Sequence, residues 1–398
     1  MKLDILNALD SQSLLKELGA DDSKLAIADS FRKLGLPNKK SEKYRYFDID
    51  ALMDKDWALA AAKPADVERS GTKIVITNGV LTNSASVDGV SVEQKVFTDV
   101  DSEHFDALYY LGHLLSKDTI VIRVNKDAKF EIEHNVSEEE TLINYRVVVL
   151  VDNNTHTQIY ESFRGDAKGS FLLSGYDIFV SKDASLNFIK SQTLKSQSYT
   201  PVLSSRYKVD SSAEMKLGTF DFAKTNGLNI FRAELHKNSN FDASHLLYLE
   251  DDVKNGTISE IVHEGESSHS SQINKAILDN KSRGIFDALI RVQNSGKYTK
   301  AHQNSKAVLL ESGAYMASKP QLEIYIDDLE ASHGSTTGQL DAKHLFYLQS
   351  RGISQVEAKK MLILAFANEI IESIENEAVR DRVHSEFEIA YYGKSELE

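Results

Sequence analysis

The chain has 398 residues, of which 41% are hydrophobic and 27% charged, so it is long enough for two or three domains and too apolar to be disordered. Its net charge of −14 argues against a nucleic-acid-binding protein, because phosphate contacts need clustered Lys and Arg side chains. The chain has no cysteine, which excludes disulfides, thiolate nucleophiles and metal clusters held by its own thiolates.

The N-terminal region, residues 1–95, is predicted to be mainly helical. Apolar side chains recur at helical spacing near the start, and a second helix over 24–35 should end at Gly35, with Pro37 just beyond. The basic and aromatic segment 36–49, "LPNKKSEKYRYFDI", is interpreted as an exposed connector, and strand is expected from about residue 73. The apolar residues of the first predicted helix are Leu3, Ile5, Leu6, Leu9, Leu14, Leu15 and Leu18.

Neither a signal peptide nor a membrane span is predicted. The first residues carry acidic side chains and no unbroken apolar stretch. The longest apolar runs, 147–151 and 361–367, are much shorter than the roughly 18 residues that cross a bilayer. Together with the absence of cysteine, this predicts a soluble, cytoplasmic protein.

The central region, residues 96–340, is predicted to be a stack of β-strands. Short runs such as "TIVIRV" and "FEIEH" alternate apolar and polar residues, which is the period of a strand. Polar turns begin at residues 153, 182, 211, 238, 265 and 294, which are 29, 29, 27, 27 and 29 residues apart. Such a repeat predicts a β-helix, since a propeller blade needs roughly 40–50 residues. A β-sandwich stays open as the alternative fold.

The C-terminal region, residues 341–398, is predicted to be helical. Asp341 is placed as an N-cap and Gly352 as a helix stop, and Ser354 with Glu357 forms a capping box before a long helix. This helix should pack its apolar stripe on the chain's own core or dock a partner. The predicted stripe consists of Met361, Leu362, Leu364, Ala365, Ile371 and Ile374.

No motif for enzyme chemistry is found. The chain has no P-loop, no dinucleotide-binding fingerprint, no nucleophile elbow and no H-E-x-x-H motif. Asp327 and Asp328 are adjacent, so on a strand they face opposite ways and cannot act as an acid–base pair. His263, Glu264 and His269 are interpreted as part of a solvated turn rather than a metal site.

Three segments resemble a known family. Residues 281–292, 300–341 and 345–371 contain a K-P-x-L-E-I run, a D-D pair, an S-H-G stretch and F-Y-L-x-S-R-G-I before the long helix. These motifs are similar to those of SufB and SufD, the paired proteins of SUF-system iron–sulfur cluster assembly. Segment 36–49 is also similar to the N-terminal segment of that family. Because SufB-type chains carry a sulfur-accepting cysteine and this chain has none, it resembles the SufD branch.

The resemblance implies a right-handed parallel β-helix flanked by helical regions, in agreement with the repeat. It implies a scaffold and not an enzyme, which pairs with a SufB-type paralogue and docks a SufC-type ATPase. The isolated chain should bind no cofactor stably. An iron–sulfur cluster should be held transiently in the complex, and ATP should bind only through the ATPase.

Site residues follow from the resemblance. His333 in the S-H-G stretch should bind iron or a nascent cluster at the SufB interface, since imidazole is a good iron ligand. The family often has a cysteine where this chain has Ala331, so sulfur ligands must come from the partner. The implied partner interface comprises Leu322, Ile324, Tyr325, Ile326, Gly334 and Ser335, with a homodimer possible in isolation. The implied ATPase-docking residues are Ser354, Glu357, Met361 and Phe366.

Two other functions fit parts of this pattern. A carbohydrate-active β-helix enzyme would carry paired carboxylates on neighbouring coils. A purely structural or self-associating β-helix would use the same strand edges to bind its own copies. For His333 itself, an ordinary solvated loop histidine is the alternative to a metal ligand.

Overall fold

The computed structural model describes residues 2–3, 22–60 and 67–393. Strands, numbered along the chain, are β1 (Lys2–Leu3), β2 (Trp57–Leu59), β3 (Glu68–Arg69), β4 (Lys73–Thr77), β5 (Val80–Ser84), β6 (Val90–Lys95), β7 (Thr119–Val124), β8 (Ala128–Asn135), β9 (Thr141–Asn144), β10 (Arg146–Val151), β11 (His156–Arg164), β12 (Phe171–Ser174), β13 (Tyr176–Val180), β14 (Ser185–Gln192), β15 (Thr200–Val209), β16 (Glu214–Asp221), β17 (Gly227–Leu235), β18 (Asn240–Leu249), β19 (Lys254–His263), β20 (His269–Leu278), β21 (Arg283–Val292), β22 (Lys300–Leu309), β23 (Tyr315–Ile324) and β24 (Glu330–Gly338).

Helices flank this strand-rich body on both sides in sequence. They are α1 (Asp22–Leu34), α2 (Ile49–Met53), α3 (Ala107–Leu115), α4 (Ala342–Ser350), α5 (Gln355–Ile371) and α6 (Glu377–Tyr392), with a 3₁₀ turn at Glu42–Tyr44. Gly35 follows α1 at a φ of 72°, so the predicted helix stop is confirmed. The first predicted helix lies outside the described residues except for Leu3, which belongs to β1.

The strands form a parallel β-helix of about eight turns, as predicted. Sheet A stacks β7, β10, β13, β15, β17, β19, β21 and β23, and sheet B stacks β8, β11, β14, β16, β18, β20, β22 and β24. Each coil contributes a strand to both sheets, so neighbouring strands within a sheet are parallel. The alternative of a β-sandwich is wrong, because that fold pairs its strands antiparallel.

Polar turns set the repeat. Asn154, Asp183 and Ser212 occupy equivalent turns and have positive φ angles of 56°, 57° and 58°. This left-handed conformation is tolerated best by Gly and by short polar residues, which explains the polar composition of the predicted turns. Strand register in sheet B advances by 29 residues from His156 to Ser185 and by 29 more to Glu214, confirming the repeat.

The apolar core fills the inside of the β-helix and both outer faces. Inward side chains from Ile74 to Ala301 form one continuous cluster along the lumen. Outside sheet A, α1, α2 and α3 pack around Trp57 and Tyr109. Outside sheet B, α5 and α6 pack around Phe387. Both flanking helical regions are thus anchored to the β-helix by burial of apolar surface.

The two ends of the β-helix differ. At the first coil, β6 pairs antiparallel with β7, and the β4–β5 hairpin adds to β8, so both sheets continue into capping strands. At the last coil, β23 pairs only with β21 and β24 only with β22 among the described strands. The first end is therefore capped, and the last end leaves two strand edges unpaired.

Region boundaries stay predictions, although the elements locate them more closely. The strand Lys73–Thr77 already belongs to sheet B through β8, so strands of the body begin before residue 96. The described part of residues 1–95 holds six strands beside its helices, so "mainly helical" does not describe it. On the C-terminal side, α4 begins at Ala342, immediately after Asp341.

Candidate functional site

The unpaired end of the β-helix, here called the open end, contains His333. On β22 the inward side chains Ala301, Gln303 and Ser305 are buried in the lumen. The parallel register places Ala331, His333 and Ser335 at the corresponding positions of β24. Since no described coil covers β24, His333 and Ser335 are exposed although they occupy inward positions.

His333 lies on a strand, so the alternative of a solvated loop histidine is wrong about the loop, although the side chain is exposed. The small residues around it belong to the same strand, whose extended conformation is stabilised by pairing with β22. A Cβ added to Gly334 would come no closer than 3.6 Å to Asn304, so the glycine leaves space rather than relieving a clash. A shallow depression of about 350 Å³ adjoins His333 and is lined by Gln303, Asn304 and neighbouring polar residues.

Sheet A contributes the apolar part of the open end. Ile290 and Val292 are buried in β21, and their register partners in β23 are Leu322 and Ile324. Leu322 and Ile326 still pack against the lumen core, whereas Ile324 is 43% exposed. Leu322, Ile324, Ile326, Gly334 and Ser335 are thereby brought to one end of the solenoid, and Tyr325 beside them is 56% exposed.

Backbone hydrogen bonds identify the groups on each unpaired edge. The amides of Tyr315 and Tyr325 donate to the carbonyl oxygens of Ser282, just before β21, and of Val292, at its end, at 3.0 and 3.1 Å. Because alternate residues of a parallel strand face opposite neighbours, the N–H of Ile324 points to the unpaired edge. On β24, Glu330 donates to Thr299 at 2.9 Å, so the N–H of His333 points outward by the same alternation.

Polar contacts close the lumen just behind the open end. Ser335 Oγ donates to Ser318 Oγ of β23 at 2.9 Å. Gln303 Nε2 donates to the carbonyl oxygen of Gln321 at 2.7 Å. Within the described part of the chain, no three His, Cys, Asp or Glu side chains are grouped closely enough to hold a metal ion. The single imidazole of His333 would therefore need ligands from elsewhere.

Acidic pairs give little support to a glycosidase. Glu234 and Glu260 lie on neighbouring coils of sheet A and are buried, but Arg232 forms ion pairs with both. Burial raises the pKa of Glu234, although Arg206 and Arg232 oppose that change. Asp327 and Asp328 lie between β23 and β24, both exposed, where strand alternation does not govern their directions.

Caps of the C-terminal helices agree with the sequence. Asp341 accepts from the amide of Lys343 at 2.7 Å, and Ser354 accepts from that of Glu357 at 3.2 Å. Gly352 has a φ of 87° after α4, as expected for a helix stop. The N-caps at Asp341 and Ser354 and the helix stop at Gly352 are confirmed.

The buried face of α5 differs from the predicted stripe. Of that stripe, only Ile371 and Ile374 are fully buried, and Met361 is 43% exposed. The helix instead packs on the sheet through a face that neighbours the predicted stripe. The residues of that face are Ala358, Ile363, Ala367 and Ile370. Lys275 of β20 lies 4.4 Å from the ring centre of Phe366 and donates to its carbonyl oxygen at 2.9 Å.

An exposed apolar surface remains on the C-terminal helices, here called the helical patch. Phe346 and Tyr347 of α4 are 71% and 54% exposed, and Val356 of α5 is 64% exposed. Met361 of α5 is 43% exposed, while Phe366 is half-buried against sheet B. Among the predicted docking residues, Ser354, Glu357 and Met361 are accessible and Phe366 is only partly so.

Two features of the structure were not predicted from the sequence. Segment 36–49 is not a simple exposed connector, since Tyr44 is buried and donates to Asp106. His263 is also fully buried, where its ring bonds to Ser268 and Ser270 at 2.7 and 2.8 Å and burial lowers its pKa to about 3. Apolar spacing around Tyr44 could have signalled the first, whereas the second depends on coil register.

These features define a class of protein: a parallel β-helix with unpaired strand edges at its last coil and exposed apolar side chains on its C-terminal helices. Among the described residues, no helix is long and apolar enough to cross a membrane. The chain belongs to the family described as SUF system FeS cluster assembly, SufBD core domain, whose model matches residues 134–366. The resemblance found in the sequence is thus confirmed, and the match extends from β8 into α5.

Similar proteins cover nearly the whole chain. An iron–sulfur cluster assembly SufBD family protein of Synechocystis is 25% identical over 95% of this chain and 93% of its own length. Iron–sulfur cluster assembly protein SufD of Escherichia coli is 26% identical over 88% of both chains. Protein ABCI7, chloroplastic, of Arabidopsis thaliana is 24% identical over 96% of this chain and 87% of its own length. The chain is therefore SufD-like and belongs to SUF-system assembly.

Proposed function

We propose that this chain is the SufD-type scaffold subunit of a SUF assembly complex, without catalytic activity of its own. Its open end pairs with a SufB-type paralogue, and its C-terminal helices dock a SufC-type ATPase. The observation that carries the proposal is the asymmetry of the β-helix, which is capped at its first coil and unpaired at its last. Unpaired strand edges are costly to leave exposed unless a partner covers them.

Pairing at the open end would use two kinds of contact. Backbone groups of β23 and β24 supply hydrogen bonds for strand addition, and Ile324 and Tyr325 supply exposed apolar surface. The same edges are available to a second copy of the chain, so a two-fold homodimer is the expected state without the paralogue.

A test of pairing is Ile324→Pro. The substitution removes an amide that points to the unpaired edge, and proline is tolerated on edge strands, as Pro320 of the same strand illustrates. We expect the variant to fold but to lose association with the paralogue in analytical ultracentrifugation. The control is Tyr298→Ala, because Tyr298 is exposed on a turn. A proline control at Ile273 is not used, since β20 is paired on both sides and would lose a hydrogen bond of the sheet. Undiminished association of the Ile324→Pro chain would place the interface elsewhere.

His333 is proposed to bind iron of the forming cluster, with sulfur ligands from the paralogue. Iron and sulfide are the substrate of assembly here, and imidazole can replace a thiolate on a cluster iron. His333→Ala should leave the chain folded, because the side chain is exposed on the last strand.

The measurement is iron and acid-labile sulfide in the three-component complex, purified without oxygen. We expect both to fall sharply in His333→Ala and to recover in part in His333→Cys, while ATP hydrolysis by the SufC-type subunit continues. Neighbouring His302, exposed on β22, provides the matched control His302→Ala. Equal iron in the two alanine variants and the parent would remove His333 from the site.

A further inference from the structure

Gln303 lies directly behind His333 in the β-helix. It occupies the inward position of β22 that is in register with His333, and it is only 2% exposed. Adjacent strands of a sheet are about 4.8 Å apart, so these two side chains are stacked neighbours. Ala301 with Ala331 and Ser305 with Ser335 repeat the same stacking on either side.

The orientation of the Gln303 amide is fixed by its partner. Its Nε2 lies 2.7 Å from the carbonyl oxygen of Gln321, and a carbonyl can only accept a hydrogen bond. The nitrogen must therefore face Gln321, and Oε1 is directed away from it. Gln321 is held in turn, because its own side-chain nitrogen donates to Asp287 at 3.0 Å.

Gln303 Oε1 is an acceptor without a partner. It is buried, and it has no hydrogen bond to any residue within the described ranges. A buried carbonyl that is left unpaired is costly, so a nearby donor is strongly favoured. The inward neighbour in the next coil is His333, whose ring also has no hydrogen bond to a described residue and always carries at least one N–H.

The polar character is specific to the coils before His333. Going deeper in the same column of inward side chains, Gln303 is followed by Gln272 and then by apolar residues. Those apolar residues are Ala243, Leu217 and Phe188. Gln272 is satisfied by Ser259 and His245, at 2.9 and 3.1 Å, whereas Gln303 keeps one oxygen unused. Both glutamines lie in the same polar part of the lumen, so polarity alone does not explain why only Gln303 has an unpaired oxygen.

We propose that Gln303 is the positioning residue for His333. A ring N–H of His333 donates a hydrogen bond to Gln303 Oε1, and the other ring nitrogen, which carries no proton, faces the open end with its lone pair free to bind a metal. Metal-binding histidines are commonly oriented by such a second hydrogen bond, which fixes the tautomer. The orienting bond belongs to this chain alone, whereas the metal role of the outward nitrogen rests on the proposed function.

Ring nitrogen resonances of His333 test the bond directly. The protein is labelled with ¹⁵N-histidine and recorded at about pH 8.5, where a histidine with an ordinary pKa of about 6.5 is neutral. The signals are assigned by their loss in His333→Asn. In the parent we expect one tautomer, with two widely separated nitrogen shifts and an observable ring N–H proton.

Gln303→Met keeps the length of the side chain and removes the acceptor. The two nitrogen shifts should then approach each other, and the ring proton should exchange too fast to be observed. The control is Gln272→Met, which makes the same change one coil deeper and should leave the His333 signals unaltered.

Unchanged His333 signals in a folded Gln303→Met chain would overturn the inference. If that variant does not fold, the parent decides, because a His333 ring without a preferred tautomer also overturns it. Iron binding by the anaerobic complex is titrated separately, and we expect the affinity for iron to fall about tenfold in Gln303→Met. Altered ring signals with unchanged iron would uphold the orienting bond and refute the metal role of His333.

Discussion

Phe387→Ala should release the C-terminal helices from the β-helix while the lumen stays folded. The side chain is fully buried, and its ring centre lies 5.4 Å from that of Phe222 and 6.1 Å from that of Tyr248. Truncating a buried Phe to Ala typically costs about 3–5 kcal/mol. A domain is stabilised by only about 5–15 kcal/mol in total, so this loss is enough to detach a peripheral element.

The loss should be local because the buried clusters are separate. Phe387 belongs to the cluster between α5, α6 and the outer face of sheet B, and the lumen cluster lies on the other side of that sheet. Hydrogen–deuterium exchange should therefore accelerate in Glu377–Tyr392 and remain slow in lumen strands such as Lys254–His263. Binding of the SufC-type ATPase should weaken in parallel.

Ile389→Ala is the matched control, since Ile389 is on the same helix but 70% exposed. It should change the free energy of unfolding by no more than about 0.5 kcal/mol. Equal exchange rates of α6 in Phe387→Ala and Ile389→Ala would refute the assignment of this cluster as the anchor. Uniformly faster exchange throughout the chain would refute the claim that the two clusters are independent.

Three further features are tested by substitution. Ser354→Ala removes the cap of α5 and should lower the free energy of unfolding by about 1 kcal/mol in urea titrations, with no loss if the cap is unimportant. Gly256→Ala should cost about 1–3 kcal/mol or more, because the new Cβ would lie 1.9 Å from the Ile285 carbonyl oxygen, whereas Gly338→Ala meets nothing within 4 Å and should be nearly neutral. Burial raises the pKa of Asp221 to about 7, above its unfolded value of about 4, so its stabilising contribution is complete below about pH 4 and is lost as the pH rises through 7. Asp221→Asn should remove this loss, so its stability relative to the parent should increase between pH 4 and 8 by up to about 4 kcal/mol, and a constant difference would contradict the assignment.

The architecture was accessible from the sequence because turns and strands leave independent signals. Asn154, Asp183 and Ser212 mark turns that need a left-handed residue, and the strands between them alternate. The same regularity gave the repeat without any relative. Helix caps were equally local, since Ser354 bonds the amide only three residues further on.

Features that depend on register were not accessible. In sheet B the strands step by 29, 29, 26, 29, 31 and 30 residues from His156 to Glu330, so a fixed repeat loses phase. A shift of one residue in strand register moves a side chain from the lumen to the surface. The stacking of Gln303 behind His333 could therefore not be counted along the chain. The buried face of α5 was missed for a similar reason, because the unbroken apolar run 361–367 does not specify which side of the helix meets the sheet.

Sheet B connects the two candidate surfaces. Lys275 of β20 bonds to the Phe366 carbonyl oxygen of α5 and forms an ion pair with Glu369. The same strand pairs with β22, which pairs with β24 and its His333. Only β22 therefore lies between β20, which contacts α5, and β24, which carries His333. Under the proposed function, His333 supplies one imidazole to the cluster, and the thiolate ligands come from the partner because this chain has no cysteine. An ATPase that moves α5 would act on that position through two ladders of backbone hydrogen bonds.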